Sequence, residues 1–273
     1  MIEELAIDFI EKNAFVSGNE AIDASMVGLK VYDAPLVCYA DADDELFEQF
    51  RSVYSATYGN FLPPKEWLPE ATTVISIFFP YTRAVRRGNS KDMSFPSKEW
   101  LHGRVEGQKI INLCTQFLLE KLHKQNYKAV APCLDKRFFS SLKNYDAGSS
   151  NHSNEEFYSN WSERHVAFAA GQGTFCLSKG VITSRGVAGR FTSIITDYKH
   201  SPTQRSYDDL YEYCTMCGKC VVNCPANAIS LEDGKDHSKC CKFVSYTKKK
   251  DGTRFGCGKC QVAVPCEASI PQR

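Results

Sequence analysis

Hydrophobic and polar positions alternate along most of this chain in blocks short enough to be single elements. Ala71-Thr-Thr-Val-Ile-Ser-Ile-Phe-Phe79 is an unbroken β-rich apolar run closed by Pro80, the pattern of a strand buried on both faces. Between Glu106 and Tyr127, the residues Ile110, Leu113, Cys114, Phe117, Leu118 and Leu122 recur at helical spacing and form one apolar stripe. Lys128-Ala-Val-Ala131 before Pro132, and Phe191-Thr-Ser-Ile-Ile-Thr196, predict two further strands. Met1 to Phe15 sets Ile2, Leu5, Phe9 and Ile10 among four acids and predicts an amphipathic helix. Residues 139–160 are rich in Ser and Asn, which predicts a mobile loop or lid. A helix is expected directly after it, capped by Asn160 with Glu163 in the reciprocal capping-box position, and ending at Gly171-Gln-Gly173. The fold class is therefore α/β or α+β over residues 1–205. Residues 199–206, with Pro202, read as a linker to a smaller module at 206–273.

Bulk composition narrows this only at a few points. An apolar share of 43% in 273 residues is enough for a real core, and a net charge of +1 does not advertise nucleic-acid binding. No stretch has the roughly 18 uncharged apolar residues of a spanning helix, and the acidic start is unlike an export signal. A cytoplasmic protein with no membrane partner is the expectation.

Thirteen cysteines change the picture, because nine of them lie between Cys214 and Cys266. In a reduced compartment so dense a group points to metal or cluster ligands rather than disulfides. Cys214-Thr-Met-Cys217-Gly-Lys-Cys220-Val-Val-Asn-Cys224-Pro225 is the run C-x2-C-x2-C-x3-C-P of bacterial ferredoxins. Its first three thiolates serve one [4Fe–4S] cluster and the fourth serves another. Paired C-x2-C motifs also make zinc sites, but zinc rarely uses three cysteines at this double spacing with a C-P ending. The partner motif is less regular: the vicinal Cys240-Cys241, then Cys257-Gly-Lys-Cys260, then Cys266 after Pro265. Crossing assigns Cys214, Cys217, Cys220 and Cys266 to one cluster, and Cys224, Cys257, Cys260 and Cys240 to the other, with Cys241 the alternative to Cys240. Cys114 reads as a core residue on its helix stripe, and Cys38, Cys133 and Cys176 have no neighbours at ligand spacing. Lys248-Lys249-Lys250 reads as a solvated loop rather than a docking patch for an acidic donor.

The cysteine layout together with Trp161-Ser-Glu-Arg-His-Val-Ala-Phe-Ala-Ala-Gly-Gln-Gly-Thr-Phe-Cys-Leu-Ser-Lys-Gly-Val-Ile-Thr183 and Arg190-Phe-Thr-Ser-Ile-Ile-Thr-Asp197 resembles the epoxyqueuosine reductase family, whose relatives include the corrinoid reductive dehalogenases. The resemblance covers about residues 70–270. It implies a nitroreductase-like domain holding base-off cobalamin, fed with electrons by two [4Fe–4S] clusters, and an anaerobic oxidoreductase reducing a small organic substrate. The proton-donating Asp of that family has no counterpart here, since the matching stretch reads Glu155-Glu156-Phe157-Tyr158. Tyr158 and Glu156 are the candidate donors, and Gly173, Thr174, Phe175 and Arg190 the candidate corrinoid contacts. Glu163, Arg164 and His165 suit either a capped first turn with an arginine ion pair or a site role. The chain is shorter than most epoxyqueuosine reductases and lacks their carboxy-terminal RNA-binding repeats, so tRNA is not the expected partner. A low-potential ferredoxin or flavodoxin is the expected electron donor. Two other functions fit the same residues: an electron-transfer protein that reduces a partner such as a corrinoid protein, or a flavin-dependent reductase.

Overall fold

A computed structural model of the chain describes residues 1–51, 59–140 and 159–272. The elements of the large region run α1 (Ile2–Asn13), β1 (Leu36–Asp41), α2 (Glu45–Gln49), α3 (Pro64–Trp67), β2 (Thr73–Pro80), α4 (Arg83–Ser90), α5 (Lys98–Lys124) and β3 (Ala129–Val130). They continue with α6 (Glu163–Ala169), β4 (Gly173–Phe175), β5 (Val181–Thr183) and β6 (Gly189–Thr196). The sheet order is β1-β2-β6-β3, and every pairing is antiparallel. The architecture is thus mixed α and β with an antiparallel sheet, the α+β form of the expected class.

All eight residues of β2 are buried, because helices cover both faces of the sheet. Ile75, Ile77 and Phe79 point to one side and meet Ile2, Ala6 and Ile10 of α1 and Ile111, Cys114 and Leu118 of α5. Val74 and Ile195 point to the other side, among Phe47, Phe61, Trp67, Trp161 and Val166. Such double-sided burial makes β2 the strand least tolerant of truncation, at about 2–5 kcal/mol for Ile77→Ala. Cys114 is fully buried in this core, as its place on the stripe predicts.

Helix α5 begins earlier than its apolar stripe suggests. Ser97 caps it by accepting from the Trp100 backbone N–H at 3.2 Å, and its polar first turns pack under the cysteine-rich region. Asn160 does not cap α6. Its Oδ1 accepts from Phe139 N at 2.8 Å and its Nδ2 donates to Arg137 O at 2.9 Å, so it clips a preceding turn instead. The cap position falls to Ser162, whose side chain makes no capping bond. The helix does end where expected, with Gly171 at φ +80°. Residues 199–206 are not a loose linker: Thr203 exchanges hydrogen bonds with the backbone of Tyr39, and Arg205 pairs with Asp44. The segment is a strap along the edge of β1.

The cysteine-rich region consists of α7 (Lys219–Val222), the two-residue strands β7 (Ile229–Ser230) and β8 (Gly234–Lys235), α8 (His237–Asp251) and a 3-10 turn at Lys259–Gln261. Lys248, Lys249 and Lys250 occupy the last turn of α8 rather than a loop, where cations oppose the negative end of the helix dipole. A buried network ties this region to α5. Arg254 donates from Nε and a terminal nitrogen to both oxygens of Glu106, each at 3.1 Å. His102 Nε2 accepts from Ile22 N, so Nδ1 carries the proton and donates to Glu106 at 2.8 Å. Among the described residues no helix is long and apolar enough to cross a membrane.

Candidate functional site

The tetrapeptide Cys-Gly-Lys-Cys occurs twice and folds the same way both times. Gly218 and Gly258 sit at φ +70° and +66°, a left-handed conformation that side chains disfavour, and each opens a short helical turn. The chain therefore doubles back between the two thiols of each pair.

Around these loops the thiols fall into two groups. Cys214, Cys217, Cys220 and Cys266 line one hollow, together with Cys176 and Cys260. Cys266 is acted on electrostatically by Cys214 and Cys220. On the other side, Cys240 is acted on by Cys260 and Cys224, and Cys257 by Cys260 and Cys240. Cys240 is half-buried and Cys241, one position further on α8, is buried. Because Cys260 also reaches the first hollow, the two groups abut.

The donor set suits a cubane. Within the described residues no three candidate ligands converge tightly enough for a single ion. A lone tetrahedral zinc would draw its thiolates to within about 4 Å of each other, from Zn–S bonds of ~2.3 Å. Four thiols that share a space without converging match the four corners of an iron–sulfur cube. Burial pushes the thiols of Cys220 and Cys257 up to about 12, so both are protonated at neutral pH until a metal displaces the proton.

The large region frames each group with its own backbone. Val187 N donates to Cys266 O at 2.9 Å and Ala188 N to Glu267 O at 3.2 Å. Phe175 N donates to Leu210 O at 2.8 Å, and Tyr213 N to Thr174 Oγ1 at 2.9 Å. At the second group, Asn89 Nδ2 donates to Cys257 O at 2.9 Å. Lys259, fully buried, donates from Nζ to both the backbone oxygen and Oδ1 of Asn89, each at 2.7 Å.

Of the candidate corrinoid contacts, Gly173, Thr174 and Phe175 form β4 and are buried against β5. Gly173 is required by packing, since a Cβ there would come within 1.9 Å of Ile182 O. Thr174 and Phe175 are occupied in holding the segment 210–213. Arg190 is half-buried. Its guanidinium donates to Gln108 Oε1 on α5, from Nε at 3.1 Å and also from a terminal nitrogen. Glu156 and Tyr158, like most of the expected lid, lie outside the described residues.

Several contributors escaped the sequence pattern. Cys176 is buried against the first thiol group, with Sγ 3.3 Å from Ser178 Oγ. Arg164 makes no ion pair with any described residue; its side chain stays exposed even though desolvation dominates its pKa. Cys260, Arg190, Cys176 and Cys240 are the groups that act on it, and we call the space they share with Arg164 the recess. Lys235 on β8 hydrogen-bonds Cys240 and lies beside both Cys260 and Arg164. The recess therefore adjoins the second thiol group. Glu163 makes no cap: burial pushes its carboxyl up to about 7, against the opposing pull of Ser193 and Trp161.

Residues 209–230 match the 4Fe-4S binding domain family. No curated protein matches the chain by sequence. Among solved structures, epoxyqueuosine reductase from Streptococcus thermophilus is 17% identical with a TM-score of 0.52, covering 87% of this chain and 64% of that one. A catabolic reductive dehalogenase in complex with 3-bromo-4-hydroxybenzoic acid is 16% identical with a TM-score of 0.53, covering 86% of this chain and 30% of that one. An epoxyqueuosine reductase with an epoxyqueuosine-modified tRNA stem loop is 17% identical with a TM-score of 0.51, covering 98% and 66%. The chain thus has the fold of these enzymes and spans less than two thirds of their length. That one of them holds a tRNA stem loop runs against the expectation that tRNA is no partner, an expectation resting largely on chain length and charge.

Proposed function

We propose that the chain is an iron–sulfur oxidoreductase with two [4Fe–4S] clusters that pass electrons to a redox cofactor, a corrinoid, in the recess of the large region. Cys214, Cys217, Cys220 and Cys266 hold one cluster, and Cys224, Cys240, Cys257 and Cys260 the other. The observation that carries this reading is the abutment of two four-thiol groups, the second of them opening on the recess. A corrinoid bound there would supply a cobalt centre able to take single electrons and reduce an organic substrate. The chain's own part is positional. Asn89 and Lys259 fix the second cluster loop, Arg164 and Arg190 line the recess wall, and burial of the thiols excludes water from the electron path. A low-potential ferredoxin or flavodoxin would load electrons where Cys217 is exposed.

Anaerobically prepared protein is expected to carry about eight irons and eight sulfides per chain. Cys266→Ser should perturb the same paramagnetic signal as Cys217→Ser, and Cys224→Ser the other one. Four irons after full reconstitution, or a shared signal for Cys217→Ser and Cys224→Ser, would overturn the cluster assignment. Equilibrium titration with cobalamin tests the cofactor. No spectral shift with both clusters intact leaves a flavin reductase or an electron carrier.

A further inference from the structure

Three arginines from three different elements act on one another beside the second thiol group, and no acid among the described residues pairs with them. Arg104 stands one helical turn before Gln108 on α5, and Gln108 is the residue that Arg190 of β6 grips, so Arg104 and Arg190 share one face. The Arg104 guanidinium carbon lies over the Phe255 ring, 4.7 Å from its centre, which restrains the side chain. Arg164, at the start of α6, acts on Arg104 and is acted on by Arg190, besides Cys260, Cys176 and Cys240. None of the three pairs with a carboxylate among the described residues.

Bringing three like charges together where water is partly excluded costs free energy, and no carboxylate among the described residues pairs with them to offset it. Burial, and then repulsion from Arg190, pulls the pKa of Arg104 below its ordinary value. One bland account is that these cations balance the negative charge of a cluster. Lys235 suits that role, since it bonds Cys240 directly. Arg104 does not, because the charges that bear most on it are Arg190, Tyr81, Tyr32 and Arg164, none of them a cluster thiol.

We infer that Arg104, Arg164 and Arg190 form an oxyanion site that holds the molecule to be reduced by a phosphate or carboxylate group, beside the second cluster. Guanidinium forks match such groups through paired N–H···O bonds, and a stacked arginine loses little freedom on binding. Substrates of the enzyme are on this account anionic small molecules. Neutral analogues lacking the acid group should bind far more weakly, because they leave three desolvated cations unpaired. The inference rests on the oxidoreductase reading above but is tested apart from it.

The test is anaerobic calorimetry of the cluster-loaded protein with inorganic pyrophosphate and citrate as probes, in wild type, Arg164→Gln and Arg190→Gln. Arg164 is exposed, so its replacement leaves the fold intact, and iron content checks each preparation. Binding that weakens at least about tenfold in both variants, at unchanged iron content, is the expected result, from the strength of charged hydrogen bonds. Wild type that binds neither probe while holding about eight irons would overturn the site and leave the cluster reading standing. Loss of iron in wild type would instead strike the cluster reading. A last arm compares cobalamin with cobinamide, which lacks the nucleotide-loop phosphate. If Arg164→Gln weakens cobalamin alone and leaves both probes unaffected, the anion belongs to the cofactor and the substrate assignment is overturned.

Discussion

The two Cys-Gly-Lys-Cys loops share sequence and backbone conformation yet live in different environments. At Cys217-Gly-Lys-Cys220 both Cys217 and Lys219 are exposed, and a Cβ on Gly218 would meet nothing nearer than Leu231 at 3.8 Å. At Cys257-Gly-Lys-Cys260 the lysine is fully buried on Asn89, and a Cβ on Gly258 would overlap the Trp100 ring at 1.8 Å. Four residues are enough to set the turn, but the large region decides what each turn does. The outer loop is open to a donor. The inner loop is a docking piece, keyed into α4 and α5.

The sharpest way to break this contrast is to add one methyl group to each glycine. Gly218→Ala meets only the strain of a left-handed alanine, about 1–2 kcal/mol, and should keep about eight irons. Gly258→Ala meets the same strain plus an indole ring that is itself buried against Tyr81. It should lose the second cluster or fail to accumulate as folded protein. Iron analysis and anaerobic urea midpoints check both variants. Equal behaviour would mean that the inner loop is not keyed against Trp100.

The lysines give a smaller contrast of the same kind. Lys259→Met removes two hydrogen bonds to Asn89, leaving its Oδ1 only the Ser97 N–H, for an expected loss of about 1–3 kcal/mol. Lys219→Met, at an exposed position, should stay within about 0.5 kcal/mol of wild type. Urea midpoints of the cluster-loaded proteins decide it. A Lys259→Met midpoint as high as that of Lys219→Met would show that Asn89 finds other partners.

The same division between local and distant causes explains what could be read from the sequence. The first cysteine run is legible because coordination chemistry fixes its spacing, and residues 209–230 match the 4Fe-4S binding domain family. Strand β2 is legible because eight residues buried on both faces leave an unbroken apolar run. Arg104, Arg164 and Arg190 are not, since they are separated by 60 and 26 positions and meet only through the packing of α5, α6 and β6. Asn160 misled for a related reason. Its side chain satisfies a cap motif on paper, but the turn at Arg137–Phe139 claims both ends of its amide. Gly173 looked like a cofactor contact, and the β4–β5 hairpin needs it first.

Burial separates ordinary groups once more on α6, with the smallest expected effect. Glu163 is raised to about 7 by burial, so it stays neutral in the fold while an unfolded carboxyl ionises near its ordinary 4.5. Its stabilisation is complete below the unfolded value and is lost as pH rises toward 7. His165 is lowered to about 4, by burial and then by Arg164, so it too stays neutral, while an unfolded imidazole takes a proton below 6.5. Its stabilisation is complete above 6.5 and is lost as pH falls toward 4. Between roughly pH 5 and 6.5 the two slopes oppose, each at most about 1.4 kcal/mol per pH unit, and the wild-type protein should show a flat profile there. Glu163→Gln keeps the shape and removes the falling slope, so its urea midpoint should rise with pH across that window. His165→Asn removes the rising slope, and its midpoint should fall. A flat profile in both variants would mean that neither group is held neutral, and that the wall of the recess behind Arg164 is wetter than its packing implies.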